Sequence, residues 1–183
     1  MLISDTTWTY PSGSAPHVSL VQIPRPLLGE LARQEHGPAT VASRLVTPYL
    51  TGPECNALWR LRDDQLDAQP ADAAWVTRFV LTPGVAGAVG VAGFHGRPDP
   101  DGMVEVGYRI EPGHRRRGYA RAALETLLAI AREHPSVKVV RASVSPGNIA
   151  SRSLIDQYGF TEVGEQWDDQ DGLETILELP VQG

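Results

Sequence analysis

The stretch MVEVGYRIEPGHRRRGYARAALETLLAIARE, residues 103–133, decides the fold. Its first eight residues, Met103–Ile110, are rich in Val and alternate in character, the mark of a β-strand. Alternation sets Glu105, Gly107 and Arg109 on one face and Val104, Val106 and Tyr108 on the other. Pro112-Gly113 stops the strand. A helix then runs from Tyr119 to Glu133, and its Ala120, Ala123, Leu124, Leu127, Leu128 and Ala131 form the stripe of a helix packed on a sheet. Between strand and helix lies Arg115-Arg116-Arg117-Gly118-Tyr119-Ala120. A helix N-terminus exposes unpaired N–H groups and the positive end of the macrodipole, so it draws phosphate. Gly118 has no Cβ and Ala120 is small, which gives an anion a clear approach. The amides of 116–120 can then wrap a pyrophosphate while the three arginines neutralise its charge.

Working outward, 137–144 reads as a strand, 148–158 as a short helix, and 160–165 with 173–179 as a closing hairpin. Upstream, 75–81 and 85–95 read as strands, and Asp99-Pro100-Asp101-Gly102 as the turn that leads into Met103. The first seventy residues are less regular. Helices are expected over 26–35 and 53–67, each opened by a proline, with loop signals at Gly37-Pro38 and Thr47-Pro48. The order from residue 75 is β-β-β-α-β-α-β-β. It predicts an α/β fold with a mixed, mostly antiparallel central sheet and flanking helices. Gly84, Gly87, Gly90 and Gly93 recur every third residue without the dinucleotide-binding spacing, and read as turn and strand backbone.

At 183 residues, with 42% hydrophobic and 21% charged residues, the chain is expected to form one domain over 1–183. It has no apolar run of membrane-spanning length and no signal-peptide pattern, and Cys55 stands alone, so a cytoplasmic protein without membrane contact is expected. The net charge of −6 argues against a nucleic-acid partner. No Lys or Arg follows Arg152, whereas eight acids do, so His114-Arg115-Arg116-Arg117 with Arg121 is a basic island suited to one small anion. The five histidines lack metal-ligand spacing, and no metal is expected.

In the segments Val104-Glu105-Val106-Gly107-Tyr108-Arg109-Ile110, Arg115 to Ala120, and Asn148-Ile149-Ala150-Ser151-Arg152-Ser153 through Gly159-Phe160, the chain resembles the GCN5-related N-acetyltransferase (GNAT) family. The likeness is to the branch that acetylates ribosomal-protein N-termini. Arg115, Gly118 and Ala120 match the family's Gln/Arg-x-x-Gly-x-Gly/Ala signature, and Asn148 with Gly159-Phe160 matches its second mark. The resemblance covers roughly 75–179. It implies acetyl-CoA held as cosubstrate in a cleft between two splayed parallel strands, 103–110 and 137–144. The pantetheine would bond the backbone around Tyr108 and Ile110; the diphosphate would meet Arg115, Arg116, Arg117, Gly118, Tyr119 and Ala120; Asn148 and Ser153 would lie along the cofactor.

Acetyl transfer needs a neutral amine, and for a lysine-like amine losing the proton at pH 7 costs on the order of 4–5 kcal/mol, so a base is useful. Glu105 is the expected base if its face lines the cleft; a solvent-facing strand Glu is the alternative. The tyrosine that many relatives use as general acid is replaced by Ile155, and the resemblance points instead to Ser151 as partner of the leaving sulfur. Tyr158 reads mainly as packing, His95 as a strand-end histidine that can also face an acceptor, and Gly107 as either a close backbone approach or room for a packed side chain. Cys55 reads as a buried structural thiol. Asn148 also suits a helix N-cap. Trp59, Trp75 and Trp167 read as core or acceptor-pocket residues. The expected partner is an amine-bearing acceptor, with Asp168, Asp169 and Asp171 near its entrance and homodimerisation open. The alternatives are a larger donor such as succinyl-CoA, or a non-catalytic acyl-CoA-binding module.

Overall fold

A computed structural model describes residues 2–10, 13, 16–168 and 172–181. Asp169 and Asp171, named above at the acceptor entrance, lie outside the described residues. The elements are β1 (Thr7–Thr9), β2 (Ser19–Gln22), α1 (Arg25–Arg33), α2 (Pro38–Ala42), α3 (Pro53–Ala68), β3 (Arg78–Leu81), β4 (Gly90–Phe94) and β5 (Met103–Ile110). After them come α4 (Tyr119–Glu133), β6 (Val139–Val144), α5 (Ile149–Ile155), β7 (Thr161–Asp168) and β8 (Gly172–Pro180). The sheet runs β1-β2-β3-β4-β5-β6-β8-β7, antiparallel at every neighbour except the parallel pair β5–β6.

Two layers of helix cover it. On one face the α4 stripe, with Ala123, Leu124, Leu127, Leu128 and Ala131 buried, packs on Val104, Val106 and Ile110 of β5 and on Val140 and Val144 of β6. On the other, Leu27, Leu28 and Leu31 of α1 and Trp59 of α3 pack on Phe79 of β3 and Val91 of β4. Strand alternation makes this possible: Phe79 and Val91 face one layer, Val80 and Ala92 the other.

The two N-terminal strands were not expected. They form because distant groups hold them. Leu20 and Trp8 are fully buried, and the Arg78 guanidinium stacks 3.4 Å from the Trp8 ring centroid. Arg78 also donates to the carbonyls of Asp5, Ile3 and Ala74, so a buried cation stitches the N-terminal segment to β3. Two expected strands are shorter than their apolar runs. Trp75 closes a 3₁₀ turn (Pro70–Ala74), Val76 makes a single bridge to Phe94, and the strand itself is Arg78–Leu81, while 85–89 is loop ahead of β4. The loop expected at Gly37-Pro38 instead opens α2, with Pro38 at its first position and Glu30 accepting from the amides of Ala39 and Thr40.

Candidate active site

β5 and β6 pair only at Met103↔Val139, Val104↔Val140 and Glu105↔Arg141. Both strands continue, β5 to Ile110 and β6 to Val144, without pairing to each other. β5 instead stays bonded to β4 through Gly90↔Ile110, and β6 to β8 through Val144↔Thr175. A wedge therefore opens in mid-sheet just beyond Glu105. His95 N donates to Glu105 O at 2.8 Å and Glu111 N to Val89 O at 3.0 Å, which makes the odd-numbered residues of β5 the hydrogen-bonded partners of β4. The amides and carbonyls of Val106, Tyr108 and Ile110 consequently point into the wedge. Arg115 Nε takes the Ile110 carbonyl at 2.9 Å. Of the two backbone positions expected at the pantetheine, Tyr108 keeps both of its groups, while Ile110 keeps only its N–H. Arg115, expected on the phosphates, is to that extent a brace of its own loop.

The loop from β5 into α4 passes through left-handed backbone at Arg116 (φ 62°) and Gly118 (φ 84°). Such reversals curl successive N–H groups into a concave nest for an anion. Among the described residues the amides of 116–120 donate to no protein acceptor, and no carboxylate pairs with the exposed Arg116 and Arg117. At Gly118 the structure shows a constraint besides the one expected. A Cβ there would meet Pro16 Cδ at 2.8 Å, so the glycine satisfies the backbone angle and the N-terminal segment as well as any ligand. Tyr119 and Ala120 begin the helix, half-buried.

The opposite face of β5 carries Glu105, as alternation requires. Its side chain is 19% exposed and lies 3.5 Å (Oε1) from Nδ1 of His95. The Ser143 hydroxyl hydrogen-bonds the carboxylate while itself accepting from Gln166. Burial pushes the Glu105 carboxyl up, against the Ser143 bond and the Arg141 and Arg62 charges, which favour the anion. His95 is pinned from below. Its carbonyl accepts from Arg62 Nη1 at 3.2 Å and Gln65 Nε2 at 2.7 Å, both on α3. Enclosure and the Arg62 charge push the imidazole down to about 4, so it is neutral at pH 7. Gly107 is where the ring rests: a Cβ there would meet His95 Nε2 at 2.6 Å.

On the α4 face, the Tyr108 hydroxyl and the Ser151 Oγ sit 2.9 Å apart, joining β5 to α5 across the wedge. Asn148 is the α5 N-cap, its Oδ1 accepting from Ser151 N at 3.2 Å, so the cap already uses part of the side chain expected at the cofactor. Ser153 is exposed on α5. Ile155 is fully buried in the core. Tyr158 is engaged elsewhere, donating to Glu125 at 2.5 Å and accepting from Arg121, and its phenol is pushed up to about 12 by burial and Glu125. Cys55 is buried with its thiol pushed up, Trp59 and Trp75 are buried, and Trp167 is exposed on the hairpin.

The fold recurs in known proteins. A family model described as an acetyltransferase (GNAT) domain matches residues 32–161. The chain belongs to the GNAT acetyltransferase family. A relative, the Bacillus subtilis (strain 168) uncharacterized N-acetyltransferase YjdG, is 35% identical over 72 residues, 39% of this chain. Those residues span 43% of that relative's length, less than half. Solved structures share the fold of this GNAT chain. Mycobacterium smegmatis RimJ in complex with CoA-disulfide has a TM-score of 0.65 at 17% identity, covering 97% of this chain and 88% of RimJ. RimL, a ribosomal alpha-N-protein acetyltransferase in complex with coenzyme A, has a TM-score of 0.63 at 10% identity, covering 94% and 98%.

Within this GNAT fold the structure gathers Glu105, Tyr108 and Ser151 around the mouth of the wedge and 115–120 at the mouth of α4. It leaves Ser153 at the periphery. Sequence reasoning undervalued His95 and did not find the Tyr108 side chain or Arg62. The usable signal for His95 was the pair of glycines, Gly93 and Gly107, that stand opposite each other beside it in β4 and β5.

Proposed function

We propose that the protein is an acetyl-CoA-dependent N-acetyltransferase that moves the acetyl group directly to an amine acceptor in a ternary complex. The observation that carries this reading is the end of β5–β6 pairing at Glu105↔Arg141 while both strands run on. An extended pantetheine arm can fill that gap as a surrogate strand, using the amide and carbonyl of Tyr108 and of Val106. Its diphosphate then falls at the nest of 116–120, beside the exposed guanidinium groups of Arg116 and Arg117. The RimJ and RimL neighbours, solved with CoA-disulfide and coenzyme A, support the same choice of ligand.

The two faces of β5 divide the chemistry. The acceptor amine comes from the Glu105 face, arriving as an ammonium that the Glu105 carboxylate attracts. The ammonium first gives one proton to bulk water; the neutral nitrogen then attacks the thioester carbonyl, the C–N bond forms, the C–S bond breaks, and the second N–H proton leaves on the Glu105 face. The sulfur departs on the other face, where Ser151, held by Tyr108, donates a hydrogen bond. A thiolate of ordinary pKa near ~8.5 needs little more than that. Backbone N–H groups at the wedge polarise the carbonyl, and binding supplies alignment. The test is thiol release with acetyl-CoA and with succinyl-CoA against a panel of amines. Release that depends on both acetyl-CoA and an amine is expected; release with no member of the panel would sink the reading.

A further inference from the structure

We infer that His95, through Nε2, is the group that takes the proton from the acceptor amine, with Glu105 as its orienting partner and Gly107 as the space that lets the ring lie there. The inference rests on the acetyl-transfer reading above and sharpens it: the carboxylate supplies the negative charge, and the imidazole makes the contact.

Three features of position carry it. The ring is on the acceptor face, over Gly107, two residues past the last β5–β6 pair, so Nε2 borders the wedge where the thioester carbonyl would lie. Nδ1 faces the Glu105 carboxylate at 3.5 Å, and Nε2, over Gly107, is the ring nitrogen turned away from it. The backbone beneath is held by more bonds than a strand end needs. His95 N bonds Glu105 O, and its carbonyl takes both Arg62 and Gln65. Arg62 is itself buried and bonds Thr77 Oγ1 at 3.2 Å and Gln65 Oε1 at 2.6 Å as well, so the His95 carbonyl is tied to a buried cation that links α3 to the segment before β3. At 46% exposure the side chain is open enough to meet a substrate, whereas Glu105 at 19% sits behind it.

Once the ammonium has given one proton to bulk water, the neutral nitrogen bonds the acetyl carbon as the C–S bond breaks, and its N–H proton moves to Nε2, giving an imidazolium whose charge Glu105 stabilises. Coenzyme A leaves as the thiolate and takes a proton by way of Ser151 or water, and His95 returns its proton to solvent. The charged groups around the ring are Glu105 on β5, Arg62 on α3, Arg141 on β6 and Asp168 at the end of β7.

Two measurements on the full chain test this. Nitrogen-15 NMR of the histidine rings, assigned with His95→Gln, is expected to show His95 at pH 7 neutral, protonated at Nδ1 and bare at Nε2. An imidazolium, or a proton on Nε2, would overturn the inference. With an acceptor from the amine panel, His95→Ala should lower kcat by about 10²-fold or more, in line with loss of a general base. The KM for acetyl-CoA should stay within about twofold, and added imidazole should restore part of the rate in proportion to its concentration. An unchanged rate, or a loss that imidazole does not relieve, would refute the proton role. If the parent chain released no thiol with any amine, the acetyl-transfer reading would fail on its own, and the ring tautomer would still decide the assignment of His95.

Discussion

Gly107→Ala is the most informative single-methyl change in this chain. The added Cβ would stand 2.6 Å from His95 Nε2, and ordinary contact begins at 3.4 Å, so the ring must retreat by roughly 0.8 Å. The obstacle is the tip of a half-exposed side chain, and the ring can swing outward without disturbing the β4–β5 ladder. The overpacking cost therefore falls at or below the low end of the usual ~1–3 kcal/mol. The loss of glycine freedom in the unfolded chain returns about 0.4–1 kcal/mol. Net stability should hardly move, and the melting temperature should stay within roughly 4 °C of the parent. Catalysis should respond strongly, because a misplacement near 1 Å of a reacting group can cost about 10²-fold. The assay is kcat by thiol release, with calorimetric acetyl-CoA affinity alongside. Parental kcat in a folded Gly107→Ala protein would refute the reasoning. The His95→Ala background provides the control: Gly107→Ala should add little further loss there, whereas a methyl that simply blocked the acceptor would act in both backgrounds. Gly93→Ala gives the contrast, since its Cβ would meet the Thr77 backbone at 2.7 Å, so that change should destabilise the fold itself.

Other outcomes are expected. Gly118→Asp puts a branched, anionic residue at φ 84° against Pro16 and beside the nest, and should abolish CoA binding by calorimetry; unchanged affinity would remove the cradle. Tyr108→Phe and Ser151→Ala each break the same 2.9 Å bond, so the double variant should lose little more rate than either single one in a thiol-release cycle. Ser143→Ala removes a donor that favours the Glu105 carboxylate, so Glu105 should rise further and the acid limb of kcat/KM should move to higher pH. His95 is harder to protonate folded than unfolded, so stability should fall as pH drops from 6.5 toward about 4. His95→Gln should flatten that window in urea titrations run at a series of pH values.

The legible part of the fold was the part governed by local periodicity. α4 lies over Tyr119–Glu133 as its apolar stripe requires, and β5 lies over Met103–Ile110 as its alternation requires. β1 and β2 escaped because three or four residues carry too little pattern, and what holds them, Trp8 beneath Arg78, is a contact seventy positions apart in sequence. The site divides in the same way. The sidedness of Glu105 and the turn into α4 at Gly118 followed from strand and helix geometry alone. That His95 rests on Gly107 is a matter of cross-strand register, with Gly93 opposite Gly107, and so is the meeting of Tyr108 with Ser151. Asn148 showed the limit of residue-type reasoning: the same side chain suits a cap and a ligand contact, and here the cap is what the geometry fills.

The central claim is tested most directly by backbone amide NMR of the full chain titrated with acetyl-CoA. The account predicts that the amides of Arg116 through Ala120, and those of Val106 and Tyr108, shift together and become protected from hydrogen exchange as the ligand saturates. Saturable shifts confined to surfaces away from α4 and the β5–β6 wedge, or no shifts at millimolar acetyl-CoA, would contradict it.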